Sequence, residues 1–179
     1  MQRERLEAGL LEQLKVVLAN RDRAFLGRTH TVLQAIASTR ADRAVPELIE
    51  AVDFTLDPGT FPVGVRRATS SFYPAAETLR TIGSKRVITE ILAAAADKPP
   101  EDKVLRIYAW IVIEMVGKDA ARAVVERGKI GRVPKQQQGI LRLLKMIDEE
   151  PLLEMPPRKP VGKKENAGNR SNHRAFSGC

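Results

Sequence analysis

Side chains that could catalyse a reaction or bind a metal ion are few and scattered in this sequence. The two histidines are His30 and His173, and the one cysteine is Cys179. A metal site needs several His, Cys or carboxylate ligands that converge, and the spacings HxxxH, HExxH and CxxC are absent. The glycine-rich phosphate loops and the GxSxG motif are absent too. We therefore expect no enzyme activity, no cofactor and no metal centre.

A candidate aromatic anchor lies in the most apolar segment. Arg106, Trp110 and Glu114 are spaced four residues apart, so they share one side of a helix whose other sides are mainly aliphatic. Trp and Arg are enriched at the centres of protein interfaces. Trp110 with Arg106 is therefore a candidate contact for a protein partner. The alternative is that the indole packs under a neighbouring helix or stacks on Arg106.

Composition and charge predict one all-α domain followed by a tail. Only 4% of the 179 residues are aromatic, which is typical of helices packed through aliphatic side chains. From Pro156 onward there are six basic residues and one acidic residue, a net charge of +5, whereas residues 1–155 carry only +3. We predict a folded domain over 1–155. Residues 156–179 are predicted to be a disordered basic tail, because they have too little apolar surface to offset the entropy of ordering.

Apolar residues recur at helical spacing through the predicted domain. We predict a first amphipathic helix and a second capped by Asp22. A third, RAVPELIEAVDF (43–54), is predicted to be capped by Asp42 and to hold Pro46 in its first turn. A loop follows at 55–65, where two Pro and two Gly break the helical pattern. Pro74 either opens the next helix or kinks a longer helix that begins near Arg66. We expect the longer helix, because its length then matches the helix one repeat later.

The sequence contains an internal repeat at an offset of 34 residues. The segment LRTIGSKRVITEIL (79–92) aligns with IEMVGKDAARAVVE (113–126), and the alignment pairs Gly83 with Gly117. Each Gly lies where a helix would end in a left-handed turn. An earlier copy, RAVPELIEAV at 43–52, aligns with RVITEILAAA, the second helix of the later copy. This period predicts stacked helical hairpins.

The IG and VG corners, the Pro-containing first helix and the PELIEAV type of second helix resemble HEAT and armadillo repeats. The resemblance covers roughly Phe25 to Asp148, with the first helix as a cap. It implies a right-handed α-solenoid of about four stacked antiparallel helix pairs. The loop at 55–65 and the weak final hairpin depart from the HEAT pattern. Tetratricopeptide repeats share the 34-residue period, but their Trp, Gly, Tyr and Pro positions are not matched here, so they rank second.

In HEAT-like proteins the second helices of successive hairpins line a concave surface that commonly binds a partner. Projection of these helices turns eight charged residues outward: Arg43, Glu47, Glu50, Arg86, Glu90, Asp119, Arg122 and Glu126. Their signs alternate, whereas a nucleic-acid groove needs a coherent basic stripe. The resemblance thus implies a noncatalytic scaffold that binds another protein through this face, and the alternative is a solvated surface.

Nucleic-acid binding assisted by the basic tail is the second hypothesis, with a glycosylase-like role as a remote extension, because HEAT-like base-excision enzymes exist. The longest apolar run, 104–116, contains two charged residues and is shorter than the roughly 20 apolar residues that a membrane-spanning helix needs. The first residues lack the apolar core of a secretory signal. We expect a cytoplasmic protein, although a gene start chosen too late would hide an export signal.

Overall fold

The computed structural model describes residues 2–19, 26–56, 72–97, 101–151 and 153. Over these residues the chain is all-α, as the composition predicts, and contains no strand. A 3-10 turn at Asp42–Ala44 precedes the third helix. The helices of the described residues are α1 (Gln2–Ala19), α2 (Leu26–Thr39), α3 (Val45–Glu50), α4 (Pro74–Ile82), α5 (Lys85–Asp97), α6 (Asp102–Val116), α7 (Lys118–Arg127) and α8 (Pro134–Asp148).

The first two helices pack against each other through their predicted apolar faces. Leu14 and Val17 of α1 are fully buried, and α2 buries a stripe at helical spacing that includes Leu33 and Ile36. Leu6 belongs to the same predicted stripe of α1, yet its side chain is 52% exposed. The neighbours of α1 are chiefly α2 and the 3-10 turn. The buried side chains of α1, Leu14 and Val17, both lie in its C-terminal half.

The third predicted helix forms as two shorter pieces. The 3-10 turn is followed by α3, which ends at Glu50, so the predicted continuous helix is wrong. Pro46 lies in the first turn of α3, as predicted, and its missing N–H prevents an α-helical bond to the carbonyl of Asp42. The predicted cap by Asp42 is also wrong. The N-cap of the turn is Ala41, and Asp42 Oδ1 is buried without a hydrogen-bond partner among the described residues.

The fourth helix begins at Pro74, so the shorter of the two predicted versions is the observed one. Tyr73 has φ −117° and ψ 70°, which is not helical, as expected for a residue that precedes proline. The carbonyl of Phe72 accepts a hydrogen bond from the N–H of Leu56 at 2.8 Å. A kinked helix that runs from Arg66 through this point is therefore wrong. The chain thus enters α4 from a buried, nonhelical residue, Tyr73.

The two glycine corners of the repeat are equivalent in position and different in conformation. The N–H of Gly83 donates to the carbonyl of Leu79 at 3.2 Å, and the N–H of Gly117 donates to that of Ile113 at 2.7 Å. Gly83 has φ 62° and ψ 18°, the left-handed turn that the sequence predicts. Gly117 has φ 82° and ψ 157°, a region that is open essentially to glycine alone. The predicted left-handed turn is therefore confirmed at Gly83 and wrong at Gly117, where the conformation is more restrictive and favours glycine more strongly.

Helices that are alternate in the chain contact one another in succession: α2 packs on α4, α4 on α6, and α6 on α8. α3 packs on both α4 and α5, and α7 packs on α6 and α8. Because α6 has neighbours on several sides, it buries residues around most of its circumference: Leu105, Ile107, Tyr108, Ala109, Ile111 and Val112. The last helix also crosses α5, where Gly139 lies against Ala95.

Three predictions fall on residues outside the described part of the chain. They are the cap at Asp22, most of the loop at 55–65 and the tail at 156–179. Past α8, Pro151 is buried and Leu153 packs partly buried against the core. The boundary at residue 155 stays a prediction.

Candidate functional site

A surface groove in the described part of the chain lies between α3 and α5 and has a volume of about 790 Å³. We call it the α3–α5 groove. Its lining is Pro46, Ile49 and Glu50 of α3, Glu90, Ala93, Ala94 and Asp97 of α5, and Tyr108 of α6. Ala93 and Ala94 are small, so the side of the groove that α5 forms is shallow. The site is therefore an open trough, with apolar surface inside and carboxylates along it.

The charged residues of the α3–α5 groove that the structure describes are all acidic. Glu90 forms an ion pair with Arg86 at 3.5 Å, and Asp97 Oδ1 accepts a hydrogen bond from Gln136 Nε2 at 2.8 Å. Glu50 is exposed and has no ion-pair partner among the described residues. Since only one of the three carboxylates is paired with a cation, the groove favours a positively charged occupant.

Tyr108 closes the inner side of the α3–α5 groove. Its hydroxyl donates to the carbonyl of Ile49 at 3.4 Å, a long hydrogen bond that ties α6 to α3. Burial of the ring raises the pKa of Tyr108 to about 12, and the negative charge of Asp53 adds to that shift. The phenol therefore stays neutral at ordinary pH and acts as part of the apolar wall.

A second groove, of about 370 Å³, lies between α7 and α8. In this α7–α8 groove Arg122 lies 3.5 Å from Asp148 and 3.6 Å from Glu126, while Lys145 lies 3.8 Å from Glu149. Its lining is Arg122, Glu126, Lys129, Leu141, Leu144, Lys145, Asp148 and Glu149. Most of these charges are thus already paired within the chain, so this groove offers less unsatisfied charge than the first.

The eight residues predicted for a concave face do not lie together in the structure. Arg86 and Glu90 lie beside the α3–α5 groove with Glu50, whereas Arg122 and Glu126 line the α7–α8 groove. The remaining three lie at neither groove: Arg43, Glu47 and Asp119.

These three have different surroundings. Arg43 is exposed and lies 3.8 Å from Glu4 of α1. Glu47 is partly buried, and its Oε2 has no hydrogen-bond partner in the described part of the chain. Asp119 is exposed in the first turn of α7, where a carboxylate is favoured by the helix dipole. A structural role suffices for Arg43 and Asp119.

The candidate anchor on α6 is partly covered. Arg106 and Glu114 are exposed, as their helical spacing predicts, while Trp110 is partly buried and packs against the core. The side-chain hydrogen bond with Glu77 raises the pKa of Arg80 on α4, and the charge of Glu114 adds to that shift. The indole thus contributes to packing between helices, which was the alternative to an anchor.

Two features of the surface were missed by sequence reasoning. Asp97 completes the carboxylates of the α3–α5 groove, and an Ala run followed by an acidic residue at the end of a helix was the available signal. The second feature is a basic stretch, because residues 127–147 hold six basic residues and no acidic residue. The net charge of residues 1–155 is only +3, because acidic residues elsewhere in this range offset the basic stretch.

The basic stretch begins at the end of α7 and continues through the turn that leads to α8. Two aliphatic side chains of this turn are exposed: Ile130 is 80% exposed and Val133 is 58% exposed. Arg132 Nε donates to the carbonyl of Gly128 at 2.8 Å, and the side chain of Gln137 donates to the carbonyl of Arg132 at 2.9 Å. These bonds are local to the turn, which leaves both aliphatic side chains exposed to solvent.

The described residues contain no group of three or more His, Cys, Asp or Glu placed to hold a metal ion. The carboxylates of the α3–α5 groove therefore do not converge on one point. None of the helices in that part of the chain is both long and apolar enough to cross a membrane.

The chain was compared with protein-family models, with curated proteins and with solved structures. None of the three comparisons found a match. The grooves and the basic stretch at 127–147 are therefore the features from which a function is inferred.

Proposed function

We propose that this protein is a noncatalytic helical-repeat scaffold that binds another protein through the face formed by its second helices. The proposed architecture is a right-handed α-solenoid of about four stacked antiparallel helix pairs, similar to HEAT repeats. Its support is the 34-residue repeat, the paired glycine corners and the successive contacts of α2, α4, α6 and α8.

The α3–α5 groove is the observation that carries this proposal. An apolar trough bordered by carboxylates fits a polypeptide segment that presents an aliphatic side chain beside Lys or Arg. Burial of the aliphatic side chain supplies affinity, while the carboxylates select the charge and orientation of the segment. The proposed binding face is thus narrowed to Glu50, Glu90 and Asp97.

Charge reversal in the groove tests this function. The Glu50→Lys/Glu90→Lys variant is compared with a control of equal charge, Glu12→Lys/Glu114→Lys, at exposed sites outside the groove. In cross-linking and pull-down from cell extract, we expect the groove variant to lose its partner and the control to keep it. Equal capture by both variants, or no partner for the unmodified chain, contradicts the proposal.

Nucleic-acid binding is the second candidate, and the basic stretch at 127–147 favours it together with the tail at 156–179. The mixed signs in the α7–α8 groove weigh against it, because phosphate binding needs uncompensated cations. It predicts binding that falls steeply with salt and weakens after truncation at residue 155. Equal weak binding of DNA by the full and truncated chains at low salt would exclude it.

A further inference from the structure

We propose that the occupant of the α3–α5 groove is the basic turn of a second copy of this chain. We call this segment, residues 127–135, the basic turn. The inference rests on the proposed function, because it uses the same groove, and it goes further by naming the partner. It follows from the complementarity of two surfaces that belong to one molecule.

The basic turn carries positive charge that the rest of the described chain does not neutralise. Arg127, Lys129, Arg132 and Lys135 occur within nine residues, and no acidic residue interrupts them. None of the four forms an ion pair with any described residue. The groove has the opposite character, since its described charged residues are three carboxylates.

The apolar parts of the two surfaces also match. Ile130 and Val133 are exposed aliphatic side chains of the basic turn. The groove offers Ile49, Ala93 and Ala94 as an apolar lining. An aliphatic side chain flanked by cations is the segment that such a lining and its carboxylates would accept.

The turn is preorganised, so insertion costs little conformational entropy. The N–H of Ile130 donates to the carbonyl of Arg127 at 3.1 Å, and the N–H of Arg132 donates to that of Lys129 at 3.2 Å. Gly131 has φ 77°, which lets the chain turn between the two aliphatic residues. The projecting side chains are therefore held in place before any partner arrives.

The turn does not fill the groove of its own chain, because none of residues 127–135 is among the residues that line it. Gly128 lies against Leu92 on one side of α5, where a Cβ would be 3.1 Å from Leu92 Cδ2, whereas Ala93 and Ala94 line the groove on another side. The contact of Gln136 with Asp97 fixes this arrangement. Turn and groove thus lie on neighbouring sides of one helix.

This placement suits a two-fold dimer. In an isologous pair the turn of each copy meets the groove of the other, so the same contact is made twice and the assembly closes. Two equal contacts also raise the effective affinity above that of one. The structure therefore favours a dimer over an open chain of copies.

A complementation experiment with full-length protein tests the proposal. The groove variant is Glu50→Lys/Glu90→Lys and the turn variant is Lys129→Glu/Lys135→Glu. Each variant alone places like charges together, so we expect sedimentation velocity to show a dimer dissociation constant weakened about tenfold or more. Mixed one to one, they present one native contact and one contact with exchanged signs, so dimers return.

Matched controls separate the interface from general effects. Ile130→Ser is expected to weaken the dimer, whereas Leu6→Ser, at another exposed aliphatic residue, leaves it unchanged. Circular dichroism on every variant shows that the fold is retained. A mixture that stays monomeric, or a dimer that ignores both charge variants, overturns the proposal.

Other occupants give different results. A full-length chain that remains monomeric up to about 1 mM overturns self-association. If dimers form only after removal of residues 156–179, self-association of the full chain is overturned. The basic tail is then the segment that occupies the groove. A monomer that captures another protein through Glu50 and Glu90 refutes self-association and retains the scaffold function. A dimer that captures nothing else retains self-association and refutes that function.

Discussion

Gly139 of α8 lies directly against the main-chain carbonyl of Ala95 in α5. A Cβ built on Gly139 would overlap the Ala95 oxygen and come within 2.9 Å of its carbonyl carbon. Both helices therefore approach at the distance that only a glycine allows. Through this contact α8, the last helix of the described chain, packs closely on α5. The contact lies near Asp97, at the end of the α3–α5 groove.

Gly139→Ala should destabilise the protein by about 1–3 kcal/mol, because main-chain atoms cannot move aside as a flexible side chain does. Helix propensity alone predicts the opposite sign, since Ala is favoured over Gly by about 1 kcal/mol in a helix. The control is Gly9→Ala in α1, where nothing lies within 4 Å of the new Cβ. It should be neutral or stabilising. Urea unfolding measures both changes, and a Gly139→Ala variant as stable as the control would contradict this packing.

The glycine corners should differ in their tolerance of asparagine. Gly83→Ala should cost about 1–2 kcal/mol, and Gly83→Asn less, because Asn adopts the left-handed helical region more readily. At Gly117 both substitutions should cost about 1–3 kcal/mol, since φ 82° with ψ 157° excludes side chains of either kind. Chemical unfolding of the four variants tests this. Equal rescue by Asn at the two corners would show that Gly117 adopts another conformation.

Asp102 should titrate below its usual range. The hydrogen bond from Arg142, at 2.8 Å, lowers the pKa of Asp102, and the charges of Arg142, Lys145 and Arg106 act in the same direction. A depressed folded-state pKa contributes stability that is present above the ordinary value of 3.8 and lost as pH falls through the folded value. NMR titration should show the Asp102 pKa returning toward 3.8 in Arg142→Gln. An unchanged value would mean that the pair does not persist in solution.

Tyr108 should weaken the fold at high pH. Burial, followed by the charge of Asp53, raises the pKa of the phenol to about 12 from 10.0. A raised folded-state pKa contributes stability that is complete below about pH 10 and is lost as pH rises through 12. The loss is on the order of 2 kcal/mol. Denaturant unfolding across this range should show the loss in the unmodified chain and a smaller one in Tyr108→Phe.

Lysine side chains also titrate at high pH. The prediction is therefore tested by the difference between the unmodified chain and Tyr108→Phe in the stability that each loses at high pH. Near neutral pH, Tyr108→Phe should cost only about 0.5 kcal/mol, because its bond to Ile49 is long at 3.4 Å. Identical alkaline behaviour of the two proteins would place the phenol in contact with water.

Local backbone rules account for the parts of the fold that could be predicted. Apolar spacing located the helices, Pro46 lies in the first turn of α3, and Gly83 ends α4 in a left-handed turn. The errors arose where local options were close in energy. Pro74 can open a helix or kink one, and the observed choice goes with Tyr73, which is nonhelical and buried.

The candidate site was predictable only in pieces. Glu50 and Glu90 were identified from helix projection, but their grouping with Asp97 requires α3, α5 and α6 to be placed together. The partial burial of Trp110 depends likewise on neighbouring helices. Sequence spacing gives the side of a helix on which a residue lies, and it does not give the element that covers that side.

The all-α class, most of the helices and the glycine at each corner of the repeat could be read from the sequence, because they depend on φ and ψ preferences and on apolar periodicity within a few residues. The packing of α8 on α5, the open α3–α5 groove and the exposure of Ile130 appear only in the folded chain. Those outcomes depend on contacts between residues far apart in the chain, for which the sequence contains no local signal.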